Sequence, residues 1–154
     1  MRSVNCEVLN IEEVFEKNSD NNRVVHFKYG IVGFDECERF VLYRLKNEKL
    51  KGLIALESLD IESLRFVAIP TNYHTIQEYN LLREEDISEL LDVTKISPKN
   101  LLLLYLVTLQ KDGKIFFNQR APIVIDMESK EGTQIILDDS YKLSVDILDI
   151  TDEK

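Results

Sequence analysis

The chain has 154 residues, 44% of them hydrophobic and 31% charged, with a formal net charge of −9. That length suits one domain with a core that needs no disulfide or metal staple, and the composition excludes a disordered chain. The negative field opposes nucleic acid and anionic membranes, whose phosphates are met by Lys and Arg, so it either suits a basic partner or serves solubility alone.

At the N-terminus, "MRSVNCEVLN" lacks the apolar segment of a signal peptide. "IEEVFEK" groups Ile11, Val14 and Phe15 as a short helical turn, and "KNSDNN" at 17–22 reads as a loop. "RVVHFKY" predicts a strand with Val25, Phe27 and Tyr29 on one face. "RFVLYRL" puts Phe40 and Leu42 on one face and Val41 and Tyr43 on the other. "LRFVAI" at 64–69 predicts a strand that stops at Pro70, where a ladder donor is lost, with a loop after it.

"REEDISELLDV" predicts the one clear helix. Ile87, Leu90 and Leu91 fall at i, i+3 and i+4, and Glu84, Glu85 and Asp86 fill the first turn, where the helix dipole favours anions. "LLLLYLVTL" at 101–109 is too short to span a bilayer and reads as a strand buried on both faces. Asp112-Gly113 between apolar runs predicts a hairpin of 101–110 with 114–118 through a type I′ turn. "APIVID" and "TQIIL" form a further pair around a turn at Gly132. "YKLSVDI" alternates, with Tyr141, Leu143, Val145 and Ile147 inward, and 146–154 reads as an acidic tail. Many short strands and a single helix indicate an antiparallel barrel or sandwich, mainly β.

Three chemistries are testable on the residues. "GIVGFDECERF" at 30–40 has glycines spaced G-x-x-G, which is neither a Walker nor a dinucleotide loop, and Asp35, Glu36 and Glu38 would repel a phosphate. Gly30 and Gly33 read instead as turn residues with Phe34 packed behind them. Cys37 is flanked by acids where a catalytic thiol needs a cation or a helix N-terminus. No motif frames His26 or His74, which read as a strand histidine and a loop histidine. Cys6 and Cys37 form no C-x-x-C, and with two histidines there is no zinc pattern. Two free thiols suit a reducing cytoplasm. Glu57, Asp60 and Glu62 alternate with apolar residues as a solvated strand edge without calcium-loop spacing. Catalytic, metal and cofactor sites are therefore expected to be absent.

Four stretches in order resemble the FliW family of flagellar assembly factors: "FKYGIVGFDECERFVLYRL", "LIALESLDIESLRFVAIP", "EEDISELL" and "NQRAPIVIDMESKEGTQIIL". The resemblance runs from about Phe27 to Tyr141. The chain departs from the family pattern with Gln119 for a Leu, Asp126 for an Asn, and Arg83 in place of the usual helix-capping Ser or Thr. The resemblance implies a small antiparallel β-barrel-like single domain over 1–154 with one short acidic helix. It implies a non-enzymatic cytoplasmic protein, monomeric when free, with no cofactor and no direct contact with nucleic acid or membrane. Its partners would be CsrA, a small RNA-binding dimer that represses translation of flagellin mRNA, and flagellin. Binding CsrA would relieve that repression; the alternative is a flagellin-specific chaperone without a role in translation. Within the matched motifs, Gly30, Gly33, Phe34, Ala121 and Pro122 read as architecture. Glu57, Asp60, Asn118, Gln119 and Arg120 are the candidates for partner contact.

Overall fold

The computed structural model describes residues 24–45 and 52–148. The expected helical turn at 11–17, the loop at 17–22, Cys6 and the end of the acidic tail lie outside these residues. The described elements are β1 (Val24–Phe27), β2 (Arg39–Arg44), β3 (Ile54–Ser58), β4 (Arg65–Asn72), α1 (Tyr73–Glu78), α2 (Glu84–Thr94), β5 (Leu101–Leu109), β6 (Ile115–Phe117), β7 (Ile123–Asp126), β8 (Glu131–Gln134) and β9 (Val145–Asp146).

Seven strands close a barrel in the order β4-β3-β2-β1-β8-β7-β5, and β5 returns to β4 with Ala68 opposite Leu106 and Asn72 opposite Leu102. Every pairing in the barrel is antiparallel except β1–β8, which runs parallel through His26 opposite Glu131 and Phe27 opposite Gly132. Past Leu106, β5 leaves the barrel to pair with β6, and β6 pairs with β9. The fold is thus mainly β and barrel-like, as the strand pattern indicates.

Alternation along each strand divides the apolar residues between two cores. Val25, Phe27, Phe40, Leu42, Ile54 and Leu56 fill the barrel with Leu102, Leu104, Ile123 and Ile125. Phe27 meets Phe40 edge-on at 5.4 Å between ring centroids, a geometry that aromatic quadrupoles favour. The opposite faces of β5 and β7, carrying Leu103, Tyr105 and Val124, join Ile76 of α1 and Ile87 and Leu90 of α2 in a second core. Strand β5 is therefore buried on both faces along its first half, which is why it reads as an unbroken apolar run.

The structure differs from the sequence reading at several points. Pro70 does not end β4; the strand continues to Asn72. Strand β3 has already ended with Ile54 opposite Ala68, so β4 there pairs only with β5 and tolerates a residue without an N–H. The segment after it is helix α1, capped by the Asn72 side chain, which accepts the Thr75 N–H at 2.8 Å. His74 accordingly sits on a helix, exposed and beside Glu78. Tyr29 lies beyond the end of β1 and is 73% exposed, and Leu143 is exposed because only Val145–Asp146 of its segment forms strand.

The 112–113 hairpin forms, but of the two residues only Gly113 has a positive φ, +91°. Its N–H donates to the Gln110 carbonyl, a turn centred on Lys111-Asp112 with glycine in the left-handed position that follows, instead of type I′. Gly132 is in β8 and not in the turn, where Lys130 takes the positive φ of 63°. A Cβ at Gly132 would lie 2.7 Å from the Phe27 ring. Glycine is required there by close approach across the barrel seam.

Candidate interaction surface

The stretch at 30–40 builds a tight loop from its own backbone. Gly30 and Gly33 have φ of +70° and +90°. The Phe34 N–H donates to the Ile31 carbonyl, and the Cys37 N–H donates to the Phe34 carbonyl. A Cβ on Gly30 would meet the Phe34 carbonyl oxygen at 2.5 Å, so two constraints exclude a side chain there. Phe34 is half-buried against Phe66, ring centroids 5.4 Å apart. Cys37 is sealed in the barrel core at 0% exposure, where no substrate reaches it.

Asp60 closes this loop. Its carboxylate accepts the N–H groups of Glu38 and Arg39, each at 2.9 Å, and the Arg39 guanidinium at 3.0 Å. The Arg39 N–H and then its guanidinium hold the Asp60 carboxyl below the usual carboxylate range. Ser58 Oγ accepts the N–H groups of Asp60 and Ile61 and shapes the turn that presents the carboxylate. Glu57 accepts from the Tyr43 hydroxyl at 2.8 Å, and that hydroxyl accepts from Arg65.

The other three polar motif residues lock the β6–β7 connection. Asn118 Oδ1 accepts the N–H groups of Arg120 and Ala121, Gln119 Oε1 accepts the Lys142 N–H, and Arg120 Nε donates to the Tyr141 carbonyl at 2.7 Å. Ala121 and Pro122 are buried at the start of β7. The structure therefore places the five polar residues in two sets, Glu57 on β3 with Asp60 in the turn after it, and Asn118, Gln119 and Arg120 on the β6–β7 connection, each engaged within the chain.

A different surface is organised around α2. Arg83 at its N-terminus gives no side-chain cap. The Tyr141 hydroxyl supplies one instead, accepting the Arg83 N–H at 2.8 Å and donating to Asp86 at 2.6 Å. The Arg83 guanidinium bridges Asp86 and Asp138. The Ser140 hydroxyl and then Arg83 pull the Asp138 carboxyl down to about 2. These bonds pin the 137–141 segment beside the helix.

The C-terminal half of α2 is flanked by two clefts. One, of about 540 Å³, lies over the β1–β8 seam and is lined by His26, Tyr29, Glu38, Val93, Asp126 and Glu131 among others. The second, of about 330 Å³, lies between α2 and residues 135–138 and includes Glu89, Val93, Ile136 and Asp138. Val93 belongs to both clefts and is 70% exposed, and Ile136 is 63% exposed. The sequence held one signal of this surface. Val93 falls off the Ile87–Leu90–Leu91 stripe, so an apolar residue stands on the polar side of an amphipathic helix. Among the described residues, no group of three or more His, Cys, Asp or Glu is placed to hold a metal ion. No described helix is long and apolar enough to cross a membrane.

Residues 10–147 match the family model described as FliW protein. The chain belongs to the FliW family. It is 33% identical over 126 residues to the "Flagellar assembly factor FliW" of Clostridium beijerinckii, covering 80% of this chain and 86% of that one. It is 35% identical over 124 residues to the protein of that name from Clostridium botulinum strain Langeland, covering 78% and 82%. A crystal structure titled as that of the flagellar assembly factor FliW superposes with a TM-score of 0.64 at 27% identity, over 84% of this chain and 88% of that one. The FliW match thus spans the barrel, α2 and both clefts. As a member of a family of flagellar assembly factors, this FliW chain is one whose relatives are named for assembly and not for a reaction.

Proposed function

We propose that the chain is a non-enzymatic cytoplasmic antagonist that binds the translational regulator CsrA and flagellin, so that CsrA releases flagellin mRNA. Membership of the FliW family is the observation that carries this reading. Two features of the molecule support it. The net charge of −9 attracts a basic, RNA-binding partner and repels the phosphates that partner carries. The clefts beside α2 give exposed apolar side chains a place to be covered. Asp60, Asn118, Gln119 and Arg120 contribute through the loops they hold, and Glu57 through its bond from β3 to Tyr43 on β2.

The test is co-purification of the full chain with CsrA and with flagellin, followed by competition between them. The expected result is a complex with each partner and a loss of CsrA binding to its mRNA on addition of the chain. Recovery of flagellin without CsrA would replace this reading with that of a flagellin-specific chaperone.

A further inference from the structure

Three of the eight large apolar side chains exposed among the described residues, Tyr29, Val93 and Ile136, line the two clefts beside α2. Val93 is common to both, so the three form one discontinuous apolar strip across the C-terminal half of the helix and the barrel seam. Carboxylates border it. Glu38 and Glu131 line the larger cleft and Glu89 the smaller, and none of the three is in an ion pair among the described residues. The larger cleft holds one lysine, Lys28, whose Nζ stands 5.4 Å from the Tyr29 ring.

The mode of recognition follows from the backbone. Strand β1 is paired with β2 on one side and β8 on the other, and β8 is paired with β1 and β7. An incoming segment finds no free strand edge at this seam, so it docks through side chains, as an amphipathic helix does in a groove. The border selects its charge: lysine or arginine beside the apolar residues is favoured, and an acidic segment or a phosphate backbone is repelled.

We propose that this strip is where the chain receives an amphipathic, basic segment of its protein partner, its apolar side chains over Val93 and Ile136 and its cations against Glu38, Glu89 and Glu131. The inference rests on the function proposed above and assigns the face used for the RNA-binding regulator CsrA, which is the probe for the test. Apolar anchors at the centre of such a surface carry most of the binding energy, and the charged rim sets rate and salt dependence.

Two double variants are compared with wild type for CsrA affinity by calorimetry, with thermal unfolding as a check on the fold. Val93→Glu with Ile136→Glu places charge on the exposed strip and is expected to weaken CsrA at least tenfold. Glu89→Lys with Glu131→Lys leaves the apolar strip untouched; it is also expected to weaken CsrA tenfold and to flatten the salt dependence, and it decides the matter if the first pair unfolds. Leu109→Glu, an exposed apolar residue on the β5–β6 hairpin outside both clefts, is expected to bind within twofold of wild type. Folded cleft variants that bind CsrA within twofold of wild type would overturn this surface and leave the proposed function standing. Cleft variants that lose flagellin but keep CsrA would also overturn it. A wild-type chain that does not bind CsrA would overturn both.

Discussion

Asp60 receives the N–H groups of Glu38 and Arg39 and the Arg39 guanidinium, so its negative charge ties the loop before β2 to the turn after β3. Asp60→Asn is expected to cost about 1 kcal/mol at pH 7, chiefly through weaker backbone hydrogen bonds, since an exposed ion pair adds little. The sign of its pH dependence follows from a folded-state carboxyl depressed below its ordinary value of 3.8. Its contribution is present above that value and is lost as pH falls toward and through the folded value. Urea unfolding of wild type and variant should therefore differ at pH 7 and converge in acid; parallel curves would show that the carboxylate does not do this. Tyr105 presents the opposite case. Its hydroxyl is buried without a hydrogen-bond partner among the described residues, in the core under α1 and α2. Tyr105→Phe removes that desolvation cost and should hold or raise the unfolding free energy from urea denaturation, by up to about 1 kcal/mol. A clear loss of stability would reveal a partner for the hydroxyl. Neither role is visible in the sequence, because both depend on what lies across the fold from the residue.

At the scale of elements, what could be read depended on how far apart the cooperating residues are. The Ile87–Leu90–Leu91 stripe, the alternation of β2 and the double burial of β5 are local periodicities, and they predict the faces that the structure buries. The cap of α2 is not local: Tyr141 comes from 58 residues away to accept the Arg83 N–H. Strand β4 passes through Pro70 because β3 ends beside it, a fact about a neighbour and not about proline. The parallel β1–β8 pairing is a closure between distant segments, which hairpin signals cannot report. Gly132 belongs to that closure. Gly132→Ala is expected to cost about 1–3 kcal/mol, since its methyl group would meet the Phe27 ring and a packed core yields little. Phe27→Leu in the alanine background should recover part of that loss in a double-mutant cycle of denaturation free energies. Simple additivity of the two changes would remove the seam explanation. The five polar motif residues show the same limit at the candidate site. Their place in family motifs was legible, but not that four of them spend polar atoms on distant segments, Asp60 on the loop before β2, Glu57 on Tyr43, Gln119 on Lys142 and Arg120 on Tyr141, and Val93 and Ile136 came together only through the fold.

At the scale of the whole molecule, the barrel, the helix pinned against it and a net charge of −9 describe a negative body that carries an apolar strip beside α2. Its association with a basic regulator should weaken as salt rises, since exposed charges separated by more than about 8–10 Å are screened at physiological ionic strength. The most direct measurement is the affinity of CsrA for the flagellin mRNA leader, titrated with the full chain at constant salt. The account predicts that the apparent dissociation constant rises at least tenfold as the chain approaches saturation, and that raising the salt lessens the effect. An unchanged affinity for the mRNA, under conditions where the chain binds flagellin, would contradict it.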